Sequence, residues 1–362
     1  MAVEDLPQDS RYNALFTNPR TASHLLTRLL NLQNQSSIHR HPDDGYIFMR
    51  PTMMRLKRGL GGIPISNWTA HDNKTVKFAF QKSYNELMQW KKTAQIMEKG
   101  AYLKFHCLEL IEPVSETRWL HGADNAGGML PWTVSIGNGA SGGGSGSAKS
   151  EGNETCFPDT VLKSWAPTFL IRHPALVLPS LLRADLDVGN DTLWYSEREA
   201  GNIGYKQAWE AAKRWQVSFH WQRQLLDWYS ANLTEEEKRT SEEGISYPIV
   251  LDADDIQLNS APKLVRKYAR AVGLDPDVVK FGWNVASEQE MSQMNIYEKR
   301  LLNTISASTG IVPGKTAQGL VLEDEKVKWK KEFGEDLGAK LGLWVEDAMA
   351  DYEWMRGVRL RA

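Results

Sequence analysis

Three groups of side chains in this 362-residue chain have the types and spacing to do chemistry. Residues 102–110 alternate in a way that reads as a strand, so Lys104 and His106, two apart, project from one face. A cation beside an imidazole at the end of a buried strand is an acid/base pair, because His changes charge near neutral pH. The same pattern also fits an edge strand whose Lys and His simply meet water. In the second group, a short apolar strand from Tyr12 delivers the polar turn Thr17-Asn18-Pro19-Arg20-Thr21-Ala22-Ser23 to the start of a helix. Arg20, Thr21 and Ser23, with the backbone N–H groups of a helix start, offer an anion several donors at once. An ordinary first strand and helix with Ser23 as N-cap fits the same letters. The third group is Arg172, leaving the C-terminal end of a β-rich run over 168–171, and Ser180 on the helix that Pro174 opens. A guanidinium there can fork onto a phosphate. Ser180 by itself would read as a solvent-facing or back-bonded serine.

The elements that must position these groups are legible in outline. Leu25, Leu26, Leu29, Leu30 and Leu32 give the first helix an apolar side. A helix is predicted over 75–99 with Gly100 as its stop, and another over 205–233 whose Trp209, Trp215, Phe219, Trp221 and Trp228 suit buried packing or the wall of a pocket. A strand over 247–252 ends at Asp252, with Asp254 and Asp255 beyond it, ahead of a helix over 261–272, and a last amphipathic helix covers 335–355. Three carboxylates there suit capping and loop solvation, or a cation. The fold class is α/β: a P-loop-type central parallel sheet flanked by helices with loop insertions, in one domain over 1–362. The insertions are a loop-rich segment over 36–70 and a flexible Gly/Ser loop over 137–157. His39, His41, Asp43 and Asp44 are close in sequence but complete no metal-ligand pattern, so that stretch reads as a solvated loop. Gly310-Ile311-Val312-Pro313-Gly314-Lys315-Thr316 is one residue short of the ATP-binding loop spacing and follows a helical segment.

Composition narrows the class. Apolar content of 41% and charged content of 24% are those of a globular protein, and a net charge of −2 gives no reason to invoke nucleic acid or an anionic membrane. The two cysteines, Cys107 and Cys156, form no disulfide framework, and a reducing compartment fits. The first residues carry Glu4, Asp5, Asp9 and Arg11 with no apolar run, and no stretch has transmembrane length, so a cytoplasmic protein is expected.

Taken together, the three groups resemble the sulfotransferases that use 3′-phosphoadenosine-5′-phosphosulfate (PAPS), and within them the divergent sulfotransferase-like proteins of filamentous fungi. Thr17-Asn18-Pro19-Arg20-Thr21-Ala22-Ser23 is similar to the family's 5′-phosphosulfate loop, Pro-Arg/Lys-Ser-Gly-Thr-Thr. Arg172 and Ser180, eight apart, match the spacing of the 3′-phosphate Arg and Ser, and Lys104-Phe105-His106 is similar to the Lys-x-His of the cytosolic enzymes. The resemblance implies a single sulfotransferase-like domain with PAPS as co-substrate and no metal. It gives Arg20, Thr21, Ala22, Ser23, Arg172 and Ser180 to the donor, His106 as the base and Lys104 as the cation on the transferring group. A small hydroxylated metabolite, in fungal secondary metabolism, would be the acceptor. Ala22 stands where the loop Gly is usual, His24 replaces a common hydroxyl residue, and the family's C-terminal Arg-Lys-Gly clamp is not recognisable, with Lys315, Lys328 and Lys330 as candidates without a match. These departures keep two alternatives open: a sulfotransferase-fold enzyme that no longer uses PAPS, and a non-catalytic binding protein.

Overall fold

The computed structural model describes residues 12–42, 45–136, 148–189 and 205–362. Five strands, β1 (Tyr12–Thr17), β2 (Ile38–His39), β3 (Gly100–His106), β4 (Ala166–Ile171) and β5 (Ile249–Asp252), form one all-parallel sheet in the order β2-β3-β1-β4-β5. β1 and β3 bury every residue, as strands do when helices cover both faces of a parallel sheet. The α/β class therefore holds. The alternative in which Lys104 and His106 simply meet water does not: β2 pairs only with Gly100 and Ala101, yet both side chains are buried.

Helix α1 (Ser23–Leu29) follows β1, and α2 (Met49–Lys57) and α3 (Ala70–Ile96) follow β2. α3 starts earlier than the predicted 75: Thr69 and Asp72 close a reciprocal capping box, each side chain bonding the other's backbone N–H. It also stops without glycine. Glu98 turns left-handed at φ 53°, and the Glu98 and Lys99 N–H groups donate to the carbonyls of Gln95 (3.0 Å) and Ala94 (2.9 Å). Gly100, expected as the stop, instead begins β3.

Other expectations also shift. The strand over 102–110 ends at His106, and Cys107–Leu110 winds into a single buried turn against the helix His220–Asn232. The predicted helix over 205–233 is two, Tyr205–Val217 and His220–Asn232. Trp221 Nε1 donates to the Trp215 carbonyl (2.9 Å), satisfying an end-of-helix acceptor across the break. Trp215, Trp221 and Trp228 are buried, so this stripe is core. Residues 36–70, expected to be loop-rich, carry the edge strand β2 and helix α2. The Gly/Ser stretch 137–147 lies outside the described residues, but 148–157 is packed rather than loose. The Cys156 N–H donates to the Leu110 carbonyl (2.7 Å), Thr155 bridges Ile111, and Cys156 is fully buried as a free thiol.

His39 and His41 both lie against the Trp90 ring, and Asp43 and Asp44 fall outside the described residues. Among the described residues, no group of three or more His, Cys, Asp or Glu is arranged to hold a metal ion, and no helix is long and apolar enough to cross a membrane.

Candidate functional site

Because all five strands point the same way, their C-terminal ends share one edge, and the candidate side chains gather there. Thr17 is the register partner of His106 on one side and of Leu170 on the other, while Ile171, the residue before Arg172, pairs with Asp252.

One half of the site is cationic. Arg20 and Ala22 both take left-handed backbone, at φ 69° and 61°, and so curl the loop that joins β1 to α1. Each such residue costs about 1 kcal/mol, and strain of this kind collects where the surroundings hold a functional shape. Within that curl, Arg20 Nε donates to Ser180 Oγ (2.9 Å) and Arg20 Nη1 to the Leu301 carbonyl (2.9 Å). Arg172 donates through Nη1 to the Arg20 carbonyl (3.1 Å) and through Nη2 to the Lys315 carbonyl (2.9 Å). Arg20, Arg172 and Ser180, 152 and 160 positions apart in sequence, are thus one cluster. Burial is the main cause that lowers the pKa of both guanidinium groups; Arg300 and Arg172 push Arg20 further the same way. Asp254 and Asp252 work against burial at Arg172.

The other loop residues behave differently. The Thr21 hydroxyl turns inward to donate to the Asn18 carbonyl (2.8 Å), so it braces the loop. Ser23 is buried and opens α1, and Ala22, its N-cap, has no side-chain cap to give. Of the clamp candidates, Lys315 belongs to the segment touching Arg172. Lys328 and Lys330 sit in ion pairs with Glu325 and Glu335 (2.5 Å each). Arg172 Nε is buried without a hydrogen-bond partner, while Arg20 Nη1 and both Arg172 Nη groups donate to carbonyls, so a PAPS phosphate would fit here by taking the place of those carbonyl partners.

The second half is the acid/base group on β3. His106 Nδ1 lies 2.7 Å from Thr17 Oγ1. Lys104 Nζ donates to the Tyr46 hydroxyl (2.8 Å) and lies 3.2 Å from His24 Nε2, which is itself 2.8 Å from that hydroxyl. Burial first, then the charge of Lys104, holds both His24 and His106 well below the usual imidazole range, so both are neutral at neutral pH. Glu109, one turn beyond β3 and fully buried, is pushed by that burial up to about 8, against the opposing pull of Lys104.

Sequence reasoning brought Lys104 to His106, and Arg20 to Arg172 and Ser180. It placed Thr17 in the loop but missed its pairing with His106, missed Tyr46, and gave His24 no role. Gly45 was the available signal for Tyr46. It sits at φ 99° where a Cβ would stand 2.4 Å from the Lys104 carbonyl oxygen, and only a glycine lets the chain pass so close to β3.

Two proteins are similar to the chain over nearly all of its length. "Sulfotransferase ppzF" of Metarhizium rileyi (strain RCEF 4871) is 32% identical over 349 residues, and "Sulfotransferase ppzF" of Metarhizium majus (strain ARSEF 297) is 32% identical over 353. Each alignment covers 96% of this chain and 96% of the relative. No protein-family model matches the chain, and no solved structure does.

Proposed function

This chain belongs to a family of fungal sulfotransferase-like proteins, and from that premise we propose that it transfers a sulfuryl group from PAPS to a hydroxyl of a small metabolite. When bound, PAPS supplies an activated sulfuryl group whose leaving portion is the adenosine bisphosphate. Arg20, Arg172 and Ser180 hold the donor's phosphates through charge-assisted hydrogen bonds. His106, neutral because it is buried, takes the acceptor's hydroxyl proton at Nε2 while Nδ1–H donates to Thr17 Oγ1. Lys104 stabilises the negative charge that develops on the transferring oxygens. The acceptor is a small hydroxylated molecule of fungal secondary metabolism, and the protein works in the cytoplasm.

The observation that carries this reading is the convergence of Arg20 from one segment and of Arg172 and Ser180 from another onto the sheet edge that also holds His106. The test is calorimetric titration with 3′-phosphoadenosine-5′-phosphate. Micromolar binding by the wild type that Arg172→Ala abolishes supports the donor reading. Absence of binding at millimolar ligand sinks it. A second reading, a reaction on the same scaffold without PAPS, is favoured by one observation: the acidic charges of Asp254 and Asp252 face Arg172, where a phosphate would bind.

A further inference from the structure

The side chain of Lys104 is held by a small polar network that neither its strand nor its sequence neighbours supply. Gly45 presses against the Lys104 backbone, and the next residue, Tyr46, lays its ring 4.0 Å beneath the ammonium. The same ring neighbours His106, whose ring centroid lies 5.7 Å from that of Tyr46, so a single tyrosine stands beside both the cation and the base. Proton counting fixes the direction of the network. An ammonium only donates, so the Tyr46 hydroxyl accepts from Lys104 Nζ (2.8 Å). Its own proton then goes to His24 Nε2 (2.8 Å), which Lys104 Nζ also approaches at 3.2 Å; both neighbours donate, which makes Nε2 the acceptor and puts the imidazole proton on Nδ1.

We propose that Tyr46 is the positioning residue of Lys104: its hydroxyl, backed by His24 Nε2, fixes the direction in which the ammonium is presented to the group being transferred. This rests on the sulfuryl-transfer reading of the site. His24 is the acceptor that completes the device. A neutral imidazole nitrogen takes the tyrosine proton and adds no charge beside Lys104.

Tyr46→Phe deletes the hydroxyl while keeping the ring under Lys104 and beside His106. Three readouts on the full chain separate the outcomes. The imidazole nitrogen NMR spectrum of the wild type is expected to show His24 with Nε2 unprotonated, and Tyr46→Phe is expected to shift the Nε2 resonance, because Lys104 at 3.2 Å is then its remaining donor. Release of sulfate from PAPS with water as acceptor, a reaction that needs no identified metabolite, is expected to fall about tenfold or more, with the donor KM and bisphosphate affinity unchanged within about twofold. His24→Gln, whose amide oxygen can take the tyrosine proton, is expected to keep the rate within about threefold, and His24→Leu to follow Tyr46→Phe. Equal rates and an unchanged His24 spectrum in Tyr46→Phe overturn the assignment to Tyr46 while leaving the donor reading intact. A wild type that binds no bisphosphate overturns the donor reading and the role of Lys104 together, and the spectra then still report whether the hydrogen-bond network exists.

Discussion

The hydroxyl of Thr17 stands 2.7 Å from Nδ1 of His106, and the two residues are register partners at the last position of the adjacent parallel strands β1 and β3. In the proposed reaction His106 works through Nε2, which requires its own proton on Nδ1 and makes Thr17 Oγ1 the acceptor. Thr17→Val keeps the shape and removes that acceptor, so turnover is expected to fall about tenfold, whereas His106→Asn is expected to fall by about a hundredfold or more. Thr17→Ser should restore most of the rate. Since burial keeps the His106 pKa well below the usual imidazole range, steady-state rates are expected to stay level down through pH 6.5 rather than halve there.

At the cationic end, geometry and charge can be separated. Arg172 uses Nη1 and Nη2 on two different carbonyls, those of Arg20 and Lys315, a fork that a lysine cannot reproduce. Arg172→Lys keeps the positive charge, so a bisphosphate held by charge alone would bind it as it binds the wild type. The expected result is a loss of tenfold or more, measured by calorimetry at a fixed salt concentration. Equal affinity would show that Arg172 acts only as a point charge.

Much of this arrangement was legible in the sequence because it depends on local spacing. Lys104 and His106 are two apart on a strand, and Arg172 precedes a helix that brings Ser180 round two turns later. Strand direction then carries both to one edge of a parallel sheet. What was not legible depends on contacts with no sequence period. Thr17 meets His106 only through the register of β1 on β3, 89 positions away. Tyr46 reaches Lys104 from a stretch whose mixed composition read as loop, although it contains an edge strand of the sheet. The helix break after Val217 was hidden because the aromatic residues on its two sides keep helical spacing, while the stop of α3 relied on Glu98 adopting a conformation expected of glycine.

The left-handed backbone at Ala22 gives a prediction about the donor loop. At φ 61° an alanine bears a cost of about 1 kcal/mol that glycine does not, although glycine loses more freedom on folding. Ala22→Gly is therefore expected to change the unfolding free energy by less than about 1 kcal/mol, in the stabilising direction. The comparison is made by urea denaturation with equal slopes required for both proteins. A clear loss of stability would mean that the Ala22 methyl group contributes packing that outweighs its strain.

The pair Arg55 and Glu116 sets the largest single effect expected on stability. Both are buried, at 2.5 Å, with the Arg55 guanidinium over the Trp215 ring at 4.3 Å, and the Gly62 N–H also donates to the same carboxylate oxygen. Removing one partner leaves the other charge in the core. Arg55→Met is expected to cost about 3–5 kcal/mol, and the double variant Arg55→Met with Glu116→Leu to recover part of that loss. A loss equal to the sum of the two single variants would show that the groups do not act as a pair.

Glu109 sets a pH dependence whose sign can be worked out. Its ordinary pKa of 4.5 is raised by burial to about 8 in the folded chain. Below pH 4.5 the carboxyl is protonated whether the chain is folded or not, and its full contribution to stability is present. Between 4.5 and about 8 the unfolded chain gives up the proton while the folded chain keeps it, so stability drains away as pH rises through that window. Asp252, raised from 3.8 to about 6 chiefly by burial, acts in the same direction, and the lowered pKa values of His24 and His106 act in the opposite one as pH falls below 6.5. Glu109→Gln, close in shape to the protonated acid, leaves those other groups in place, so they cancel in the comparison with the wild type. Urea midpoints measured at pH 5, 6.5 and 8 are expected to show the variant gaining on the wild type at each step upward, with no comparable gain between pH 8 and 9. A difference that stays constant from pH 5 to 8 would mean that Glu109 ionises in the folded protein as it does in the unfolded chain.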